Sequence, residues 1–216
     1  KKTRCRDYRE MLAWIFGTGS KVVMGSIQDK PWQFHEQSAT LIDETNSVCG
    51  KVGFSETGKI CFSLSGKATR HLDHDRAAMA RLVHKLKSLD AHITRIDIAV
   101  DDLEGRSINV HQMRSQYQEG AFTSNGRPPL ARFISDEGTG KGCTLYIGQK
   151  GHKELCIYEK GKQLGDAFSP WTRIEVEWHN KDRLLPYELL TEPGKYFAGA
   201  YPCMAFLSVE QLRIKT

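Results

Sequence analysis

Three short segments of this chain alternate apolar and reactive polar residues with a period of two, which is the signature of a half-buried β-strand. They are Thr94–Asp101 (TRIDIAVD), Leu155–Lys160 (LCIYEK) and Trp171–Trp178 (WTRIEVEW). In the first, Arg95, Asp97 and Asp101 share one face, and Ile96, Ile98 and Val100 share the other. The third groups Arg173, Glu175 and Glu177, and the second groups Cys156, Tyr158 and Lys160 against Leu155 and Ile157. If the three strands are neighbours, acids, arginines and one tyrosine gather on a single sheet face. Such a face suits a divalent cation and a phosphate, and the chain reads as a metal-dependent enzyme.

Length and composition set the frame. A chain of 216 residues with 39% hydrophobic and 26% charged residues can bury a substantial core. We expect one domain over residues 1–216, with a strand-rich part over about 1–72 and a catalytic part over about 73–216. No apolar run approaches the roughly 20 residues a membrane-spanning helix needs, so no membrane partner is expected. The basic start, Lys-Lys-Thr-Arg-Cys-Arg, is followed by no signal-peptide apolar stretch, and without an initiator Met the chain reads as a candidate fragment of something longer. A formal charge of +5 is mildly basic and does not by itself argue for nucleic acid. Six cysteines occur without CxxC spacing, which disfavours a zinc finger or a disulfide framework and favours reduced thiols in a cytoplasmic protein.

Apolar spacing predicts a short helix over Lys1–Phe16, then strands over Lys21–Ile27, Trp32–Ile42, Ser47–Phe54 and Lys59–Leu64. A helix over Asp73–Leu89 follows, capped by Asp73 or Asp75, and another over Ile108–Gln118 with Ser107 as its cap. Glycines punctuate a loop at Gly138, Gly140 and Gly142; strands are predicted over Cys143–Gly148, Lys153–Lys160 and Trp171–Asn180. Leu184–Leu190 and Tyr196–Phe206 read as helical, shortened by Pro186, Pro193 and Pro202. The class is α+β with a central, mainly antiparallel sheet and flanking helices.

Hard cations such as Mg²⁺ or Mn²⁺ take oxygen ligands and retain water or substrate phosphate in the remaining positions. Asp97 and Glu175 are the first-choice metal ligands, Asp101 and Glu177 the alternates, and His179 a further possibility on the same face. The competing account pairs these acids with Arg95 and Arg173 on an exposed sheet; burial decides between them. Tyr158 is the candidate nucleophile, with Lys160 and Lys162 near enough in sequence to help a phenol whose ordinary pKa is near 10. Ser63–Arg70 ends a strand with Gly, Lys, Thr and Arg and offers Lys67 and Arg70 to a phosphate, although it is no P-loop. Cys156 has no histidine suitably placed to make it a thiolate nucleophile.

At these residues the sequence resembles the replication initiation factors of filamentous phages, relatives of trans-acting plasmid Rep proteins and of conjugative-transposon relaxases. The likeness rests on TRIDIAVD at Thr94–Asp101, TLYIG at Thr144–Gly148, CIYEKGKQLG at Cys156–Gly165 and WTRIEVE at Trp171–Glu177; PGKYFAGAYP at Pro193–Pro202 points to the phage branch. The resemblance implies an HUH-endonuclease-like nicking domain, although no His-x-His pair is present. It implies a rolling-circle initiator that nicks and rejoins one DNA strand through a 5′-phosphotyrosyl intermediate and frees a 3′-OH primer. In that reading Tyr158 is the nucleophile and Lys160 follows it in the I-Y-x-K segment. Asp97, Asp101, Glu175 and Glu177 form the metal site. Lys67, Arg70, Arg95, Lys162 and Arg173 face DNA, Arg173 with a favoured structural role. Partners would be a single-stranded or cruciform origin, a host helicase and polymerase in the bacterial cytoplasm, and a second protomer of a homodimer. Two other readings compete: a metal-dependent nuclease working through activated water, and a non-catalytic origin-binding module.

Overall fold

The computed structural model describes residues 12, 13, 15–17, 19–72 and 76–205, which fall into two compact units, 1–91 and 92–216. In the first, Leu12, Ala13, Ile15 and Phe16 are helical; the rest of the helix expected over Lys1–Phe16 lies outside the described residues. Four antiparallel strands follow in sequence order: β1 (Val23–Met24), β2 (Gln37–Ile42), β3 (Val48–Phe54) and β4 (Ile60–Leu64). Ala39, Leu41, Val52 and Phe54 point to one face and close a core with Leu12, Val22 and Ala68. The register slips between Leu41 and Ile42, where β3 carries an extra residue, Cys49, that is fully buried. The expected strand over Trp32–Ile42 begins five residues later, because Trp32 and His35 close a small turn of their own. The helix Gly66–Thr69 and the longer helix Arg76–Ser88 complete this unit; the caps expected at Asp73 or Asp75 lie outside the described residues.

The second unit is built on a five-stranded antiparallel sheet in the order β5–β9–β8–β7–β6: β5 (Arg95–Asp102), β6 (Ala131–Ile134), β7 (Thr144–Gly148), β8 (Lys153–Tyr158) and β9 (Thr172–His179). β6 to β9 form a meander, and β5 pairs with the last strand rather than the next one. All three alternating segments are therefore adjacent, with β9 in the middle. The apolar face of this sheet carries Leu145, Ile147, Leu155, Ile157, Ile174 and Val176, all buried. Val110 and Met113 of the helix Val110–Gln118 close this core together with Phe122, Phe197, Tyr201 and Met204. Each such aliphatic side chain removed from water contributes roughly 1.5–3 kcal/mol.

Three local expectations are corrected. The helix cap is Asn109, whose side chain accepts from the N–H groups of His111 and Gln112, so Ser107 is not the cap. Lys160 does not extend β8; it opens the short helix Lys160–Gln163. The two helices expected near the C-terminus are three short pieces, Glu188–Thr191, Pro193–Ala198 and the 3-10 turn Pro202–Met204, with Pro193 and Pro202 opening the second and third.

Candidate active site

Register decides what the polar face holds. Across β5 and β9, Asp97 stands opposite Glu177, Ala99 opposite Glu175, and Asp101 opposite Arg173. Across β9 and β8, Glu175 faces Cys156 and Arg173 faces Tyr158, and on β7 Tyr146 faces Cys156. The acids, the arginine and the tyrosine thus form one patch, with residues two strands apart still within reach across the pleat. A shallow cavity of about 200 Å³ opens on it, lined by Lys141, Thr144, Tyr146, Cys156, Tyr158, Gln163, Glu175 and Glu177.

Tyr158 is only 9% exposed, yet its hydroxyl is turned toward the acids and donates to Glu175 Oε2 at 3.3 Å. Burial, and then the Glu175 charge, push its phenol up to about 12, while the Arg173 guanidinium pulls the other way. Glu175 is itself raised above the ordinary carboxylate range, first by burial and then by the charges of Asp97 and Glu177, against Arg173 and the tyrosine hydroxyl. The Cys156 thiol is driven up to about 12 by burial and by Glu175, Glu177 and Glu154, so it carries no thiolate at neutral pH.

The remaining acids are engaged with cations. Arg95 grips Asp97 with two bonds of 2.7 Å and reaches Glu177 at 3.2 Å. Arg173 holds Asp101 in the same two-pronged manner, both contacts 2.7 Å, and Trp171 Nε1 donates to the same carboxylate at 2.6 Å. Glu177 also meets His179 Nε2 at 3.3 Å. The acid–arginine pairing weighed from the sequence is thus present for Asp97 and Asp101, and Glu175 is held by the tyrosine instead. Among the described residues, no three His, Cys, Asp or Glu side chains form a ready-made metal cluster.

Lys160 sits over the Tyr158 ring, its Nζ 5.5 Å from the centroid, and donates to Gln163 at 2.8 Å. Lys162 is paired with Glu159 at 2.9 Å. Lys67 and Arg70 are exposed at the helix Gly66–Thr69 of the first unit. Three residues of this face were not expected from the sequence: Lys141, Gln163 and the buried Glu154; Tyr146 lines the cavity with Lys141 and Gln163. Glu154 was within reach, since it has the parity of Cys156 and Tyr158; Lys141 and Gln163 lie outside strands, where alternation is silent.

Residues 91–216 match the family model described as replication initiation factor. The fold is similar to the solved structure of a rolling circle replication initiator protein from Geobacillus stearothermophilus, with a TM-score of 0.64 and 19% identity over 90% of this chain and 74% of that one. No curated protein matches the sequence. Among the described residues, no helix is long and apolar enough to cross a membrane.

Proposed function

The chain belongs to the replication initiation factor family, and on that footing we propose that it initiates rolling-circle replication by nicking one DNA strand with Tyr158. The observation that carries this reading is the Tyr158 hydroxyl directed at the raised carboxyl of Glu175, on the acidic face and beside Arg173. Glu175 takes the phenolic proton as the tyrosine oxygen attacks the phosphorus. A bond forms between that oxygen and the 5′ phosphate, and the bond to the 3′ oxygen breaks. The 3′ oxygen takes a proton from solvent water as it leaves and becomes a free 3′-OH, the primer a polymerase extends, while the phosphotyrosyl bond conserves energy for rejoining. Arg173, fixed by Asp101, supports the developing phenolate and remains in place through the step.

The donor set fits a hard divalent cation, Mg²⁺ or Mn²⁺. Glu175 and Asp97 lie on one face, and the mutual repulsion that raises Glu175 is what a cation relieves. One or two carboxylates with phosphate and water complete the usual shell for such an ion, so Glu175 and Asp97 would hold it, with Glu177 in reserve. Bound there, it would polarise the scissile phosphate and offset charge in the in-line transition state. Asp97 would exchange Arg95 for the ion, whereas Asp101 stays with Arg173 as an anchor.

The test compares wild type with Tyr158→Phe, each incubated with Mn²⁺ and a labelled single-stranded origin oligonucleotide. A covalent protein–DNA band from the wild type alone supports the tyrosine mechanism. Cleavage that persists in the variant means hydrolysis by activated water, and binding without cleavage by either protein leaves an origin-binding module.

A further inference from the structure

The loop between β6 and β7 reads Ser135-Asp136-Glu137-Gly138-Thr139-Gly140-Lys141-Gly142-Cys143, and it is held from within by carboxylates. Asp136 Oδ1 accepts from the Thr139 N–H at 2.8 Å, the Thr139 hydroxyl at 2.8 Å and the Gly140 N–H at 3.0 Å; its Oδ2 accepts from the Gly142 N–H at 3.0 Å. Glu159, immediately after the tyrosine, accepts from the Cys143 N–H at 2.7 Å. Three backbone N–H groups therefore converge on the Asp136 side chain, in the way such groups hold a bound anion elsewhere. Gly142 has φ near +81°, and a Cβ there would lie 2.8 Å from that of Glu159, so only glycine lets the loop close onto the strand that bears Tyr158.

What this clamp displays is Lys141, which lines the cavity that holds Tyr158, Glu175 and Glu177. The other cations named for this face already have partners. Arg173 is taken by Asp101, Arg95 by Asp97, Lys162 by Glu159, and Lys160 is bonded to Gln163. Lys141 is exposed, and no ion pair engages its ammonium group among the described residues. A cavity lined by two carboxylates and a tyrosine repels a DNA phosphate unless positive charge faces it, and beside the proposed divalent ion Lys141 is the cationic side chain among those lining it.

The geometry points to Lys141 as the residue that binds the DNA phosphate attacked by Tyr158, with Asp136 as its positioning residue. A lysine supplies a mobile point charge with three donors, suited to following a phosphate whose oxygens gain charge as the reaction proceeds. The assignment rests on the tyrosine reading for its effect on rate, but not for its effect on binding, and the two are measured separately.

Single-turnover formation of the covalent band is followed for wild type, Lys141→Met, Lys141→Arg and Asp136→Asn with a single-stranded oligonucleotide spanning the nick. Loss of one such contact lowers the rate roughly 10²-fold. Lys141→Met should show that loss at saturating DNA, Lys141→Arg should recover most of it, and Asp136→Asn should fall between them. In a Tyr158→Phe background, where the covalent step is blocked, the salt dependence of affinity for the same oligonucleotide reports the phosphate contact alone. Lys141→Met should flatten the slope of log affinity against log salt by about 0.7. An unchanged rate overturns the assignment even if the slope changes, because Lys141 then touches DNA away from the reacting phosphate. A wild type that forms no covalent band defeats the tyrosine reading instead; an unchanged slope then overturns the Lys141 contact, and a flattened one sustains it.

Discussion

Replacing Asp101 by Asn separates a structural anchor from a metal ligand. The carboxylate accepts both prongs of Arg173 at 2.7 Å and the Trp171 indole at 2.6 Å, in a pair whose side chains are 31% and 25% exposed. Stranding the charge of a fully buried pair costs about 3–5 kcal/mol, whereas an exposed pair contributes about 0–1. Partial burial, and the one carbonyl acceptor that Asn keeps, place this substitution near 2 kcal/mol, roughly the loss of one charged hydrogen bond. For a unit of this size that is a fall of roughly 8 °C in Tm, at about 4 °C per kcal/mol. Thermal unfolding followed by circular dichroism at neutral pH, with and without Mn²⁺, reads both effects. The anchor role requires the lower Tm in both conditions, with the Mn²⁺-dependent rise preserved. A variant that melts within about 1 °C of wild type but no longer responds to Mn²⁺ refutes the reasoning and makes Asp101 a ligand.

Glu175→Gln should raise the Tm of the metal-free protein at neutral pH while abolishing nicking. A carboxyl whose folded pKa is raised favours folding most when protonated, so its contribution is lost as pH rises from its ordinary value near 4.5 through the raised one; a pH series of melts in which the variant is no more stable than wild type above that range contradicts it. The same ionisation governs the rate: single-turnover nicking should decline as acidification protonates Glu175, and a flat profile through mildly acidic pH removes Glu175 as the proton acceptor. Leu155→Ala, at a fully buried site in β8, should cost about 3 kcal/mol in denaturant titrations, and a loss under 1 kcal/mol would mean the sheet is not packed as described. Lys67→Ala with Arg70→Ala should weaken DNA binding and flatten its salt dependence without changing the rate at saturating DNA; a slower saturated rate would place these residues in the chemistry.

The shared polar face was legible in the sequence because period-two alternation survives wherever a strand has one buried side, and β5, β8 and β9 all do. Asp97, Glu175 and Tyr158 share a face on parity alone. What parity lacks is register, and register decides that Asp101 meets Arg173 while Glu175 is left to the tyrosine. β6 escapes the same reading because it has four residues, mostly exposed, one residue after Pro128-Pro129. The helix Lys160–Gln163 escapes because a single turn containing Gly161 has no periodicity to detect. Lys141 escapes for a different reason: its loop is ordered by backbone N–H groups donating to Asp136 and Glu159, and a bond between positions 16 residues apart leaves no local pattern.

Charge is divided unevenly between the two units, and on the proposed reading this would separate holding DNA from cutting it. Residues 1–91 carry 15 Lys and Arg against 10 Asp and Glu, and residues 92–216 carry 16 against 16, so the whole net charge of +5 belongs to the first unit. In the second, Arg95, Lys162 and Arg173 are each tied to an acid on or beside the reactive face. Such a surface has little long-range pull on a polyanion, and attraction that scales with uncompensated lysines and arginines must come mainly from the other unit. A neutral reactive face also has a chemical use. With no ion bound, Glu175 is raised first by burial and then by the acids around it, and unpaired arginines in this face would pull it back down, away from a phenol pushed up to about 12. The pairing of Asp101 with Arg173 therefore keeps one arginine next to the tyrosine without letting its charge collapse the acid–phenol couple invoked for the proposed step, while Asp97 answers Arg95 farther along β5.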